Sequence, residues 1–144
     1  MGTKLLDQIV VTPLKRIQTP GGDVLKVLMR NEDSYAEFGE AYFSEVMPGA
    51  VKAWKFHRSM TLNLVVPKGK VKFVFCEENN GTTMFREEEI GDHRYVRLTV
   101  KPGVWFGFKG IDQQTSILLN IANILHDPNE VDRRAIEEIN YNWK

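Results

Sequence analysis

Cysteine is nearly absent. Cys76 stands alone among 144 residues, which excludes an intramolecular disulfide and points to a reducing cytoplasm. Excess charge is absent as well: nineteen Lys and Arg balance nineteen Asp and Glu. No overall field therefore draws the chain to nucleic acid or to an anionic membrane. No apolar run approaches the length of a membrane span. The opening Met1-Gly2-Thr3-Lys4-Leu5-Leu6-Asp7 lacks the apolar stretch of a secretion signal. Without such a signal, the sequon Asn80-Gly81-Thr82 carries no weight. Histidine is scarce too: His57, His93 and His126 are widely spaced, with no His-x-His pair. That is a poor supply for the three or four converging ligands of a metal site, so none is expected. Pro20-Gly21-Gly22-Asp23 precedes a strand rather than a helix, so it is no phosphate-cradling loop. There is no Gly-x-Ser-x-Gly elbow, and Cys76 lies inside a strand pattern. These absences exclude elbow-type nucleophilic chemistry and call for no cofactor.

What is present is a β pattern with a core. A hydrophobic content of 42% over this length fits one domain, residues 1–144. After the turn cluster Thr19-Pro20-Gly21-Gly22-Asp23, the run Val24–Met29 reads as a strand, and Phe38–Val46 as another. Met47-Pro48-Gly49-Ala50 turns into Val51–His57, where strict alternation puts Val51, Ala53, Lys55 and His57 on one face. Lys52, Trp54 and Phe56 fall on the other. Thr61–Val66, Val71–Cys76 and Tyr95–Val100 follow as strands, then Val104–Phe108. Ser116–Ala122 is apolar on both faces and reads as a buried central strand. Asn80-Gly81 is the tip of a hairpin, since both residues tolerate positive φ. One helix is predicted, from Asp127-Pro128-Asn129-Glu130 onward, with Val131, Ala135 and Ile139 as its apolar stripe. Arg133/Glu137 and Arg134/Glu138 would be its exposed i,i+4 pairs. Many short strands between Gly/Pro turns, ending in a short helix, imply a mainly β barrel or sandwich.

Within this frame Trp54-Lys55-Phe56-His57-Arg58-Ser59-Met60 carries the chemistry. His57 ends a strand among cations and aromatics, so it is either a general base facing a pocket or a buried structural imidazole. Lys52, Lys55 and Arg58 are solvated surface charges or, if they line a pocket, an anion site, with arginine suited to a diphosphate. Asn63 and Asn120 interrupt apolar strands and must find a partner or face a cavity. Trp54 and Trp105 are packing residues or a stacking platform for a ring. Tyr42, Tyr95 and Tyr141 are structural or, for Tyr42 and Tyr95, a source of a proton.

The order of these strands resembles the dTDP-4-dehydrorhamnose 3,5-epimerases, a branch of the cupin jelly-roll barrels. Val51 through His57-Arg58-Ser59 looks like the family's Gly-x-x-Arg-Gly-Leu-His-x-Gln strand. Gly69-Lys70-Val71-Lys72-Phe73-Val74 looks like its Gly-x-Val-x-x-Val, and Lys101–Phe108 like its Ile-Pro-x-Gly-Phe-Ala-His-Gly-Phe. Thr19–Val24 resembles the entry to the first long strand, and Asp127–Asn142 the segment ending in Ile-x-Trp-Asn-Asp. No single motif is intact.

The resemblance implies proton abstraction beside the ketone of a nucleotide-linked 4-keto-6-deoxy sugar, by a homodimer. His57 falls on the base position. The family's lysine position falls near Leu62, with Lys55, Arg58 or Lys72 as candidate substitutes, and its tyrosine position near Leu119. Phe106 stands where the family and many metal cupins place histidine. The C-terminal aspartate that orients the base has no evident counterpart. The expected substrate-binding residues are Lys55, Arg58, Asn63, Lys72, Trp105 and Asn120. Two function classes stay open: an isomerase using His57, and a non-catalytic barrel that binds a sugar nucleotide or carbohydrate.

Overall fold

The computed structural model describes residues 4–144. After a helical turn at Lys4–Asp7, the strands are β1 (Val10–Pro13), β2 (Arg16–Ile17), β3 (Val24–Leu25), β4 (Glu40–Val46), β5 (Val51–His57) and β6 (Leu62–Lys68). They continue as β7 (Lys70–Asn79), β8 (Thr82–Gly91), β9 (Val96–Val100), β10 (Trp105–Gly110), β11 (Ser116–Ala122) and β12 (Val131–Arg133). One five-stranded sheet has the order β1-β9-β6-β11-β4 and the other β12-β5-β10-β7-β8, with β2 and β3 forming a small ribbon. Every pairing is antiparallel. This is the expected cupin jelly roll, built as two facing sheets. Among the described residues no helix is long and apolar enough to cross a membrane.

Alternation explains most of the strands. Leu62, Leu64 and Val66 of β6 meet Val71, Phe73 and Phe75 of β7 in the core between the sheets, with Leu98, Phe106 and Leu118. The β7–β8 hairpin turns at Asn80 (φ 54°) and Gly81 (φ 79°), as the Asn-Gly pair predicts. β11 lies between β6 and β4, as expected of a central strand. The strand read from Val24 to Met29 is shorter than expected and ends at Leu25.

Two expectations fail, and both failures shape the site. Strict alternation breaks in β5: Phe106 pairs with Lys55, but Gly107 pairs with Ala53, so Trp54 is an extra, bulged residue. Trp54 packs into the outer cluster of the second sheet with Ala53 beside it. Lys52 and Lys55, opposite Phe108 and Phe106, face inward with His57, and all five β5 residues border one cavity. The C-terminal helix does not form either. Asp127 caps a turn, its carboxylate accepting from Asn129 N at 2.9 Å, but the helical geometry stops at Glu130. Val131, Asp132 and Arg133 instead pair with His57, Phe56 and Lys55. A lone short helix is marginal in water, whereas pairing here covers the open edge of β5. The arginines accordingly leave their predicted helical partners. Arg134 reaches Glu78 and stacks 4.3 Å from the Trp105 ring.

The rest of the C-terminal segment covers the outer face of the second sheet. Trp54, only 1% exposed, packs with Val74, Cys76 and Ile139, beside Phe85, Tyr141 and Trp143. Its indole donates to Ile136 O at 3.2 Å, and Lys109 Nζ donates to Trp143 O at 2.6 Å. The bulge has room because Gly107 faces it: a Cβ there would lie 2.5 Å from Ala53 Cβ and 3.2 Å from Lys52 O. Gly107→Ala should therefore cost about 1–3 kcal/mol in urea unfolding, the usual range for overpacking. Unchanged stability would mean that β5 yields without loss.

Candidate functional site

The inward face of β5 opens into a cavity of about 400 Å³ between the two sheets. Its apolar floor is core: Leu62, Leu64, Phe106, Phe108 and Leu118. One wall comes from the second sheet, with Lys52, Lys55 and His57 on β5 and Arg133 on β12. The facing wall comes from the first sheet, with Tyr42 and Ser44 on β4 and Asn120 on β11. Cations and a histidine thus face neutral hydrogen-bonding groups across the space.

His57 is held from behind. Its Nδ1 lies 2.6 Å from Glu130 Oε1, and both side chains are largely buried. The other carboxylate oxygen of Glu130 accepts from Ser59 N and Met60 N, each at 3.1 Å. Burial opposes the Glu130 charge, but the bond from His57 and the two backbone donors bring its pKa below the ordinary value. An ionised carboxylate accepts the Nδ1 proton, so the neutral imidazole keeps its free lone pair on Nε2. Phe106 lies roughly parallel to the ring, at 6.2 Å between centroids.

The cations are crowded. Burial first, then the nearby Arg133 and Lys52, push the Lys55 pKa down. An anion entering the cavity would relieve this repulsion. Burial, with Glu40 adding and Arg133 opposing, pushes Tyr42 up, so its phenol keeps its proton at neutral pH. Asn120 Nδ2 donates to Tyr42 Oη at 3.1 Å.

Of the expected catalytic and substrate-binding residues, His57, Lys55 and Asn120 meet in this cavity, joined by Lys52 and Tyr42, which the sequence offered as an anion ligand and a source of a proton. Four do not. Arg58 points away and pairs with Asp132 and Asn129 O. Asn63 is a satisfied barrel residue, bonded to Ser34 O and Thr99 Oγ1. Lys72 sits on the outer face over Tyr141 at 5.4 Å, and Trp105 lies there too, against Phe56 and Arg134. Those four are excluded by strand parity or by strand end, not by chemistry. Glu130 and Arg133 escaped the sequence reading because a helix was expected there. Glu130 also corrects the expectation that His57 lacks an orienting carboxylate.

No protein-family model matches the chain. The crystal structure of a dTDP sugar isomerase from Desulfovibrio desulfuricans G20 superimposes with a TM-score of 0.87 and 31% identity, covering 95% of this chain and 91% of that one. The chain belongs to the dTDP-4-dehydrorhamnose 3,5-epimerase-like cupins. A probable low-salt glycan biosynthesis epimerase of Haloferax volcanii is 28% identical over 120 residues, 80% of this chain and 77% of the relative. The dTDP-4-dehydrorhamnose 3,5-epimerase of Sulfolobus tokodaii, at 17% identity and a TM-score of 0.78, covers 92% of this chain and 80% of its own and shares the fold. This cupin is therefore of the sugar epimerase and isomerase kind.

The His57–Glu130 pair sets a pH dependence. Unfolded, Glu130 titrates near its ordinary 4.5; folded, it stays charged to lower pH. Its contribution is thus fully present above about pH 4.5 and lost as pH falls through the depressed folded value. Glu130→Gln should lower stability at pH 7 by about 1.5–3 kcal/mol, the range for hydrogen bonds to a charged group. Denaturant midpoints should show the gap to the parent closing in acid. A gap constant from pH 7 to pH 3 would rule the carboxylate out as its source.

Proposed function

We propose that this cupin isomerises a nucleotide-linked 4-keto-6-deoxy sugar, with His57 Nε2 as the base that removes a proton beside the ketone. The observation that carries this reading is the His57–Glu130 pair set into the wall of the cavity, with a protonated Tyr42 on the opposite wall. A base and an acid facing each other across one cavity suit removal of a proton from one face of a carbon and its return to the other. In the first step the C–H electron pair moves onto the ketone oxygen as the proton passes to Nε2. Lys55, with Lys52 and Arg133 nearby, supplies positive charge for the enolate oxygen and for the diphosphate of the nucleotide. In the second step Tyr42 gives its hydroxyl proton to the carbon, and the phenolate regains one from His57 or solvent. Glu130 orients His57 and stabilises the imidazolium that forms.

The test is deuterium incorporation from D2O beside the ketone of a dTDP-4-keto-6-deoxy sugar. Incorporation is expected for the parent protein, and a loss of about 10²–10⁴-fold for His57→Asn, the usual worth of a positioned base. No incorporation across several 4-keto sugars would sink the enzymatic reading. Calorimetric binding of the same sugar nucleotides without exchange would then assign the barrel as a non-catalytic binder.

We also propose a cytoplasmic homodimer. The lone, buried Cys76 suits a reducing compartment. β4 is a sheet edge with Phe43 69% exposed and Met47, just beyond it, 64% exposed, and such an apolar edge favours cover by a second copy. Light scattering on the eluting protein should give twice the 16.6 kDa chain mass, falling to one chain in Phe43→Glu. A monomeric parent at micromolar concentration would refute this.

A further inference from the structure

Asn120 has a polar group that the fold leaves unused. It lies opposite Tyr42 in the β11–β4 ladder, and its Nδ2 donates to Tyr42 Oη. Its other arm, Oδ1, is buried without a hydrogen-bond partner, in a residue 9% exposed that lines the cavity. Buried carbonyl oxygens are rarely left unpaired, because the desolvation is uncompensated. Tyr42 presents the matching half. Its oxygen accepts from the amide, and no described residue accepts its proton. A hydroxyl carries one hydrogen, so the amide donor turns that hydrogen away from Asn120 and leaves it free on a residue that lines the cavity and is itself 42% exposed.

We propose that Asn120 is a positioning and specificity residue: its amide N–H aims the Tyr42 proton into the cavity, and its Oδ1 accepts a hydrogen bond from a hydroxyl of the bound sugar. This rests on the reading of Tyr42 as the acid and extends it in two ways. When Tyr42 has given its proton to carbon, the same N–H steadies the phenolate left behind. When the sugar enters, the idle carbonyl gains its partner, so a hexose bearing a hydroxyl there is preferred over its deoxy analogue. Sites built around a hydrogen-bonding group discriminate strongly against ligands that leave it unpaired.

Two substitutions separate the arms. Asn120→Asp keeps an acceptor but cannot donate to Tyr42, whereas Asn120→Ala removes both. With a dTDP-4-keto-6-deoxy sugar, Asn120→Asp should lower kcat by about tenfold or more while KM stays nearer the parent's. Asn120→Ala should lower kcat and raise KM together. In both, the ratio of deuterium exchange to isomerised product should rise, because proton removal outruns proton return. The basic limb of the kcat–pH profile should move upward, since the phenolate has lost its donor. Combined with Tyr42→Phe, neither substitution should lower kcat further, because both act through one hydroxyl.

Parent-like kcat in Asn120→Asp, equal KM in the Asp and Ala variants, or losses that multiply with Tyr42→Phe would each overturn the proposal. If Asn120→Ala does not fold, Asn120→Asp decides through its kcat, its pH limb and the double substitution. Full turnover in Tyr42→Phe would remove the acid reading and this inference with it. A dead Tyr42→Phe beside parent-like Asn120 variants would remove the inference alone.

Discussion

The carboxylate of Glu130 is the interaction on which the rest depends. One buried group accepts from His57 Nδ1, Ser59 N and Met60 N, while the residue's backbone carbonyl accepts from Arg58 N at 2.8 Å. A buried carboxylate with fewer partners would be expensive, so these donors and this acid require one another. Together they fix the corner after β5 and tie residue 130 to residue 57. The consequences run outward from that tie. Val131–Arg133 is carried onto the edge of β5, Arg133 is delivered to the cavity, and the segment beyond is led across Trp54.

The bulge at Trp54 adds a second constraint. A regular strand would have to choose between burying the indole outside and presenting Lys52 inside, because the two residues share a face when alternation is strict. One extra residue removes the conflict. Trp54 is sealed under the C-terminal segment while Lys52, Lys55 and His57 share the inner wall. Gly107, on the neighbouring strand, leaves the space this requires. The stability of the outer face and the charge of the inner one are therefore set by the same irregularity.

Most of the architecture was legible because it rests on local rules. Alternating apolar residues mark β6, β7 and β9, and Asn80-Gly81 marks its hairpin. His57 was legible as the strand-end histidine. The features that escaped depend on partners far away in sequence. Asp127-Pro128-Asn129-Glu130 carries a sound helix start, and its cap does form. His57 and Ser59, more than seventy positions earlier, then pull the chain into a strand instead of a second helical turn. Lys72 and Trp105 have the right chemistry for a sugar nucleotide but point to the outer face, which composition cannot reveal. Asn63 found partners within the fold for both its amide nitrogen and its oxygen, whereas Asn120 found one for its nitrogen alone. In sequence the two look alike.

The departures from the family pattern become less severe in three dimensions. No lysine stands near Leu62 and no tyrosine near Leu119, yet Lys55 and Tyr42 enter the same cavity from other positions. Leu119 pairs with Phe43 in the ladder, so the strand that lacks the tyrosine lies beside the one that supplies Tyr42. Proton transfer requires a base, an acid and positive charge within reach of one carbon. It does not require that each come from a fixed strand. Neighbouring strands of a jelly roll can exchange such duties because their inward faces share one cavity. The carboxylate behind His57 follows the same logic: Glu130 reaches it from a 3₁₀ turn that the sequence reads as helix. A cavity can thus keep one oriented imidazole and one protonated hydroxyl on facing walls after every intact motif is lost.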